Sequence, residues 1–119
     1  MPSNQFTRVE KLVGECEDWT EVTTFSNGFL NVGGLEETAG FYKDPFNVVH
    51  LKGRVDTGTA NSVMFTLPEG YRPPKRIQLP GLYSGIAFMQ INIEVNGDVL
   101  TQGAGGTGST NIQGISFRV

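Results

Sequence analysis

Cysteine is nearly missing: Cys16 is the single one in 119 residues. That excludes an internal disulfide and a cysteine-built zinc site, so the fold does not require an oxidising compartment. A lone thiol of this kind reads as a small packed side chain rather than a nucleophile. Histidine is equally scarce, with His50 alone. Charged residues are only 18% of the chain, sum to −3, and form no basic block beyond Lys75-Arg76 with Arg72 nearby. Nucleic acid is not an expected partner, because phosphate binding needs a basic face. No apolar run approaches the roughly 20 residues that cross a bilayer. The start, Met1-Pro2-Ser3-Asn4, lacks a basic-then-apolar leader. The expectation is a soluble protein, folded in a cytoplasm, with no membrane insertion.

What the chain has instead is glycine, 16 residues of it, and 10% aromatics. That mix suits short strands joined by many turns, because Ala, Glu, Lys and Leu do not dominate as they do in helical proteins. Trp19 to Phe25 reads as a strand, Ser26-Asn27-Gly28 as a tight hairpin turn, and Phe29 to Val32 as the returning strand before Gly33-Gly34. Gly40 to Lys43 is a short extended piece, followed by a turn at Asp44-Pro45-Phe46-Asn47. Val49, Leu51, Gly53 and Val55 alternate with Val48, His50, Lys52 and Arg54, which predicts one strand with a buried face and a wet or interfacial one. A turn at Asp56 to Thr59 leads into the next strand, with Val63, Phe65 and Leu67 on one side and Ser62, Met64 and Thr66 on the other. Pro68, Gly70, Pro73 and Pro74 then make a rigid corner.

Arg76 to Leu79 is a short strand ended by Pro80-Gly81. The longest candidate follows, with Ala87, Met89, Ile91, Ile93 and Val95 on one face and Phe88, Gln90, Asn92 and Glu94 on the other. Asn96-Gly97-Asp98 is the clearest hairpin signal, since Asn-Gly favours the turn whose twist matches its strands. Val99 to Thr101 returns, Gln102 to Thr110 is a glycine-rich loop, and Ile112 to Val119 closes the chain as one strand. Eight or nine such strands predict an all-β fold, an antiparallel β-sandwich or barrel of jelly-roll-like kind, over residues 19–119. Residues 1–18 read as an arm or attachment segment, in which Phe6 to Val13 forms either a turn or two of helix or an extended stretch.

Several strings occur in an ordered series: Phe41-Tyr42-Lys43-Asp44, Val49-His50-Leu51-Lys52-Gly53-Arg54-Val55, Phe65-Thr66-Leu67-Pro68-Glu69-Gly70-Tyr71-Arg72-Pro73, Val95-Asn96-Gly97-Asp98-Val99 and Ile115-Ser116-Phe117. The series resembles the carboxy-terminal β-rich modules of tailed-bacteriophage tail fibres, baseplate proteins and minor structural proteins. The resemblance implies a virion protein, commonly a homotrimer, that holds host surface saccharide or neighbouring virion proteins. Family modules of this kind usually cap a long shaft, so the chain is expected to be either a part of a longer fibre or a small standalone virion protein that docks through residues 1–18. Phe88 and Val48, apolar on otherwise polar faces, are candidates for burial between copies.

Catalysis needs converging acids, bases or nucleophiles. Asp44, Asp56, Glu69, Glu94 and Asp98 sit at or beside turns, where carboxylates serve backbone hydrogen bonding, so neither an enzyme nor a catalytic residue is expected. No metal-loop spacing is present and no cofactor is implied. Gly103 to Gly108 lacks the following helix that a phosphate loop needs. Saccharide binding calls for an aromatic plate with hydrogen-bonding side chains around it, and the candidates are Trp19, Tyr83, Asn96 and Asp98, with His50 as an addition. Each also has a purely structural reading: Trp19 in the core, Tyr83 packed in its own loop, Asn96 and Asp98 as turn residues. Two other roles compete, a decoration protein without host contact and a glycan depolymerase.

Overall fold

The computed structural model describes residues 16–56, 58–84, 87–102 and 109–119. The expected helix or arm over residues 6–13 and the centre of the glycine-rich loop, residues 103–108, lie outside them. Among the described residues there is no helix, and eleven strands replace the eight or nine expected. They are β1 (Thr20–Glu21), β2 (Leu30–Asn31), β3 (Gly40–Lys43), β4 (Val48–Lys52), β5 (Arg54–Asp56), β6 (Val63–Thr66), β7 (Ile77–Tyr83), β8 (Ala87–Ile93), β9 (Asp98–Gln102), β10 (Thr110–Asn111) and β11 (Ser116–Arg118). A four-stranded sheet runs β1-β3-β4-β11, and a seven-stranded sheet runs β2-β5-β10-β7-β8-β9-β6. Every pairing is antiparallel. The fold is all-β, and the larger sheet curls into a half-barrel.

One core serves both sheets. Phe41, Val49, Leu51 and Phe117 from the smaller sheet meet Val55, Met64, Phe65, Ile91, Ile93 and Val99 from the larger. The strand expected over residues 48–55 is broken at Gly53, whose φ of 114° only glycine adopts easily. Its alternation persists across the break because β4 and β5, in different sheets, point into the same core. Of the strand expected over residues 112–119 only β11 is strand: β10 lies before it, at Thr110–Asn111, and a turn containing Gly114 separates the two. The two breaks are bonded to each other: Ile112 N donates to Gly53 O (3.0 Å), Gly53 N to Gln113 Oε1 (2.9 Å), and Leu51 N to Ile115 O (2.8 Å). Two antiparallel chains therefore bend from sheet to sheet at one place, as strands do at the corners of packed sheets.

Other expectations change for local reasons. The Ser26-Asn27-Gly28 turn is present, with positive φ at Asn27 and Gly28, but its flanks do not pair with each other. Ser26 N donates to Met64 O and Asn27 Nδ2 to Val63 O, so the turn is pinned on β6 and β1 is reduced to two residues. Met64, expected on the outer side, is buried beside Phe65 because the β6–β9 register shifts between Val63 and Phe65. The β7 strand does not stop at Pro80-Gly81 but runs on to Tyr83. Pro80 fits because β10 pairs with β7 only at Leu82 and Tyr83, so the missing donor falls beyond that partner's end. Asp56 to Thr59 does not join paired strands, since β6 lies at the far edge beside β9. Cys16 is exposed rather than packed.

The proline corner forms as expected and is locked by the β8–β9 hairpin. Leu67 N donates to Gly97 O (2.8 Å), and Arg72 Nε donates to Leu67 O (2.9 Å). The hairpin is a four-residue turn, Gly97 N donating to Glu94 O, with positive φ at Gly97 and not at Asn96. Val95 therefore leaves the buried face and is exposed at the turn.

Candidate ligand-binding face

Met89, Ile91 and Ile93 of β8 are buried in the core. By strand alternation Phe88, Gln90 and Asn92 lie on the opposite face, and Glu94 continues their row. Cross-strand register places Leu82, Pro80 and Gln78 of β7 against Phe88, Gln90 and Asn92. On the other side, Gln102 and Leu100 of β9 stand against Gln90 and Asn92. The result is a strip with an apolar end and a polar end.

At the apolar end Phe88 is 82% exposed, one pair in from the turn end of the β7–β8 hairpin. Along it the amides form a relay: Gln90 Nε2 donates to Asn92 Oδ1 (2.8 Å), and Asn92 Nδ2 donates to Gln102 Oε1. At the polar end Arg76 Nε donates to Glu94 Oε1 at 2.8 Å. A groove of about 370 Å³ lies beside Phe88, lined by Gln78, Pro80 and Gln90 among others. A second, of about 200 Å³, lies on the Leu82 side and reaches Asn111 and Gln113. A third, of about 300 Å³, surrounds the Arg76–Glu94 pair and includes Asn92, Gln102 and Thr101. The Thr101 hydroxyl is buried without a hydrogen-bond partner among the described residues. Aromatic area beside fixed amide donors and acceptors is what a hydroxyl-rich ring with an apolar face requires.

A second cluster lies on the smaller sheet. Trp19, 43% exposed and so not a core residue, sets its ring edge-on to Tyr42 with centroids 4.6 Å apart. Tyr42 stacks on His50 at 4.8 Å, and His50 Nε2 lies 2.8 Å from Asp44 Oδ2. The other Asp44 oxygen accepts from the Phe46 and Val48 amides and so holds the β3–β4 turn. The His50 hydrogen bond, with those two amides adding to it, keeps the Asp44 carboxyl below its usual range. Lys52, expected on a wet or interfacial face, is 6% exposed. Its Nζ lies 2.8 Å from both Glu21 and Glu37 and 5.6 Å from the Trp19 ring centre. Burial pulls the Lys52 pKa down, but the hydrogen bonds and charges of Glu21 and Glu37 outweigh it and leave the pKa raised.

No known family model, curated protein or solved structure matches this chain.

The four saccharide candidates read from the sequence fall in three places. Trp19 is joined to His50 through Tyr42. Tyr83 ends β7, half-buried, on the face opposite Leu82. Asn96 and Asp98 hold the hairpin tip: Asp98 N donates to Asn96 Oδ1, and the Asp98 oxygens accept from Thr66 Oγ1 (2.7 Å) and Asn96 Nδ2 (3.1 Å). Among the described residues no three His, Cys, Asp or Glu side chains gather as a metal site. The strip itself was visible in the sequence as a face, Phe88-Gln90-Asn92-Glu94, but not as a site. The overlooked signal is a large aromatic side chain followed by amides on the side turned away from Met89, Ile91 and Ile93. The β7 and β9 partners needed the register.

Proposed function

We propose that this chain is a non-catalytic attachment module of the phage tail-fibre or baseplate type, located in the virion, that holds a surface saccharide on the β7–β8–β9 strip. The observation that carries this reading is the exposed Phe88 ring beside the Gln90–Asn92–Gln102 relay. The ordered strings from Phe41 to Phe117 supply the virion setting. In this reading the two sheets form a jelly-roll-like head. Three copies act together and residues 1–18 contact other virion proteins, so that weak single sites sum over the assembly. In this reading Asp98 serves the hairpin and Glu94 serves the pair with Arg76.

Purified protein incubated with bacterial cell-wall saccharide tests the proposal. Retention is expected, with Phe88→Ala weakening it about ten- to a hundredfold while the fold stays intact. No retention on any wall preparation leaves the decoration role, and release of reducing ends would make the protein a depolymerase.

A second reading draws on the same exposure: Phe88 is covered by another copy of the chain. Solution mass separates the two. A trimer that survives Phe88→Ala frees the strip for ligand, whereas a trimer that dissociates assigns the strip to self-contact.

A further inference from the structure

We infer that the ligand of this strip is an uncharged, extended polysaccharide, bound along β8 by an internal stretch of its chain with Phe88 under one sugar ring. The inference rests on the attachment reading above and adds the chemical class.

Charge is the first argument. From Phe88 to Asn92 the strip presents Leu82, Pro80, Gln90 and Gln78, none of them ionisable. The guanidinium lining its polar end is already paired, Arg76 to Glu94 at 2.8 Å. An anionic polymer would meet a neutral surface and a neutralised arginine, and would lose solvation with no charge to offset the loss. A neutral polyol loses nothing of that kind.

Hydrogen-bond chemistry is the second. The relay decides which amide ends are engaged: Gln90 donates to Asn92 through its NH2, so its carbonyl oxygen is the end offered to a ligand as an acceptor. Gln102 spends its carbonyl oxygen on Asn92 and keeps its NH2 as a donor. Hydroxyls both give and accept, so one sugar can use both ends of the relay.

Shape is the third. Residues of one face repeat about every 6.8 Å along a strand, which puts Glu94 roughly 20 Å from Phe88. Two of the grooves follow that line, one beside Phe88 and one around Arg76 and Glu94, while the third leads sideways over β7 to Asn111 and Gln113. A straight row of open grooves suits a chain running through, whereas capture of a chain end would call for one closed pocket.

Native affinity electrophoresis tests the class. The probes are neutral polymers of differing linkage, such as hydroxyethyl cellulose and dextran, each beside its carboxymethylated form. At least one neutral polymer should retard the protein, to the same extent in low and high salt, and its carboxymethylated form should retard it at least tenfold less. Phe88→Ala and, independently, Gln90→Ala should abolish retardation without shifting the melting temperature of the protein by more than a few degrees. Stronger retardation by the charged forms, lost as salt rises, overturns the neutral class and leaves the attachment reading standing. Retardation by no polymer of either kind overturns both. Retardation that both variants retain moves the ligand to another face. Dissociation of an oligomer by Phe88→Ala gives the strip to a second copy and ends the inference.

Discussion

Lys52 is the charged residue that the described fold encloses most, and its setting explains why it is tolerated. Gly40 opposite it leaves the space through which the lysine stem passes, since a Cβ there would come within 2.7 Å of Lys52 Cε. The amine then reaches Glu21, Glu37 and Thr38 together. The hydrogen bond from Lys52 lowers the pKa of Glu21, with Thr38 adding to it, and likewise lowers that of Glu37. The unfolded chain therefore binds more protons than the folded one in acid. This contribution to stability is complete above the ordinary glutamate pKa of about 4.3 and is lost as pH falls through the depressed values. The raised pKa of Lys52 works at the other limit: its share is present below the ordinary lysine range and lost as pH climbs past it. Lys52→Met should accordingly flatten the acid limb of stability against pH in urea titrations, leaving a residual slope from Asp44, whose pKa is lowered independently. An acid limb unchanged by the substitution would show that the two glutamates do not depend on the lysine.

Among the elements, the joint at Gly53 sets the fold. A Cβ at that position would fall 2.5 Å from Ala39 Cα and 2.6 Å from Ala39 N, both backbone atoms, on a residue at positive φ. Gly53→Ala should cost about 2–5 kcal/mol, from strain and overpacking together, read as a drop in the urea midpoint. The same joint marks where the sequence was legible and where it was not. β3 was read to the residue, and the hairpin at Asn96-Gly97-Asp98 to within its turn type, because both depend on neighbours in the chain. The breaks at Gly53 and between β10 and β11 were hidden, because alternation between core and solvent is blind to which sheet supplies the core. Lys52 was hidden for a related reason: a charge at an outward position signals solvent unless the acids that cover it, distant in sequence, are known. The candidate strip shows the same division. Its β8 row could be read from alternation, but its β7 and β9 partners could not, since Pro80-Gly81 looked like a strand end and in fact lies within the sheet.

At the scale of the whole molecule, the smaller sheet bears a tightly paired charge cluster with aromatic rings, and the larger bears a neutral strip. Two surfaces of such different chemistry suit a module that is held on one side and holds something on the other. Under the proposed attachment role, copies brought together would present several strips at once, and a weak single site, on the order of millimolar, becomes useful when the second contact is intramolecular. The coupled bends at Gly53 and Gln113 carry a consequence for how this particle would come apart. Since the backbone passes between sheets at two points that are hydrogen-bonded to each other, neither sheet can peel away while its neighbour stays closed. Amide protons of β4 and of β5 should therefore exchange with deuterium in a single opening event of equal free energy, and a mass-spectrometric profile in which one strand exchanges well ahead of the other would mean that the seam is weaker than its bonds imply.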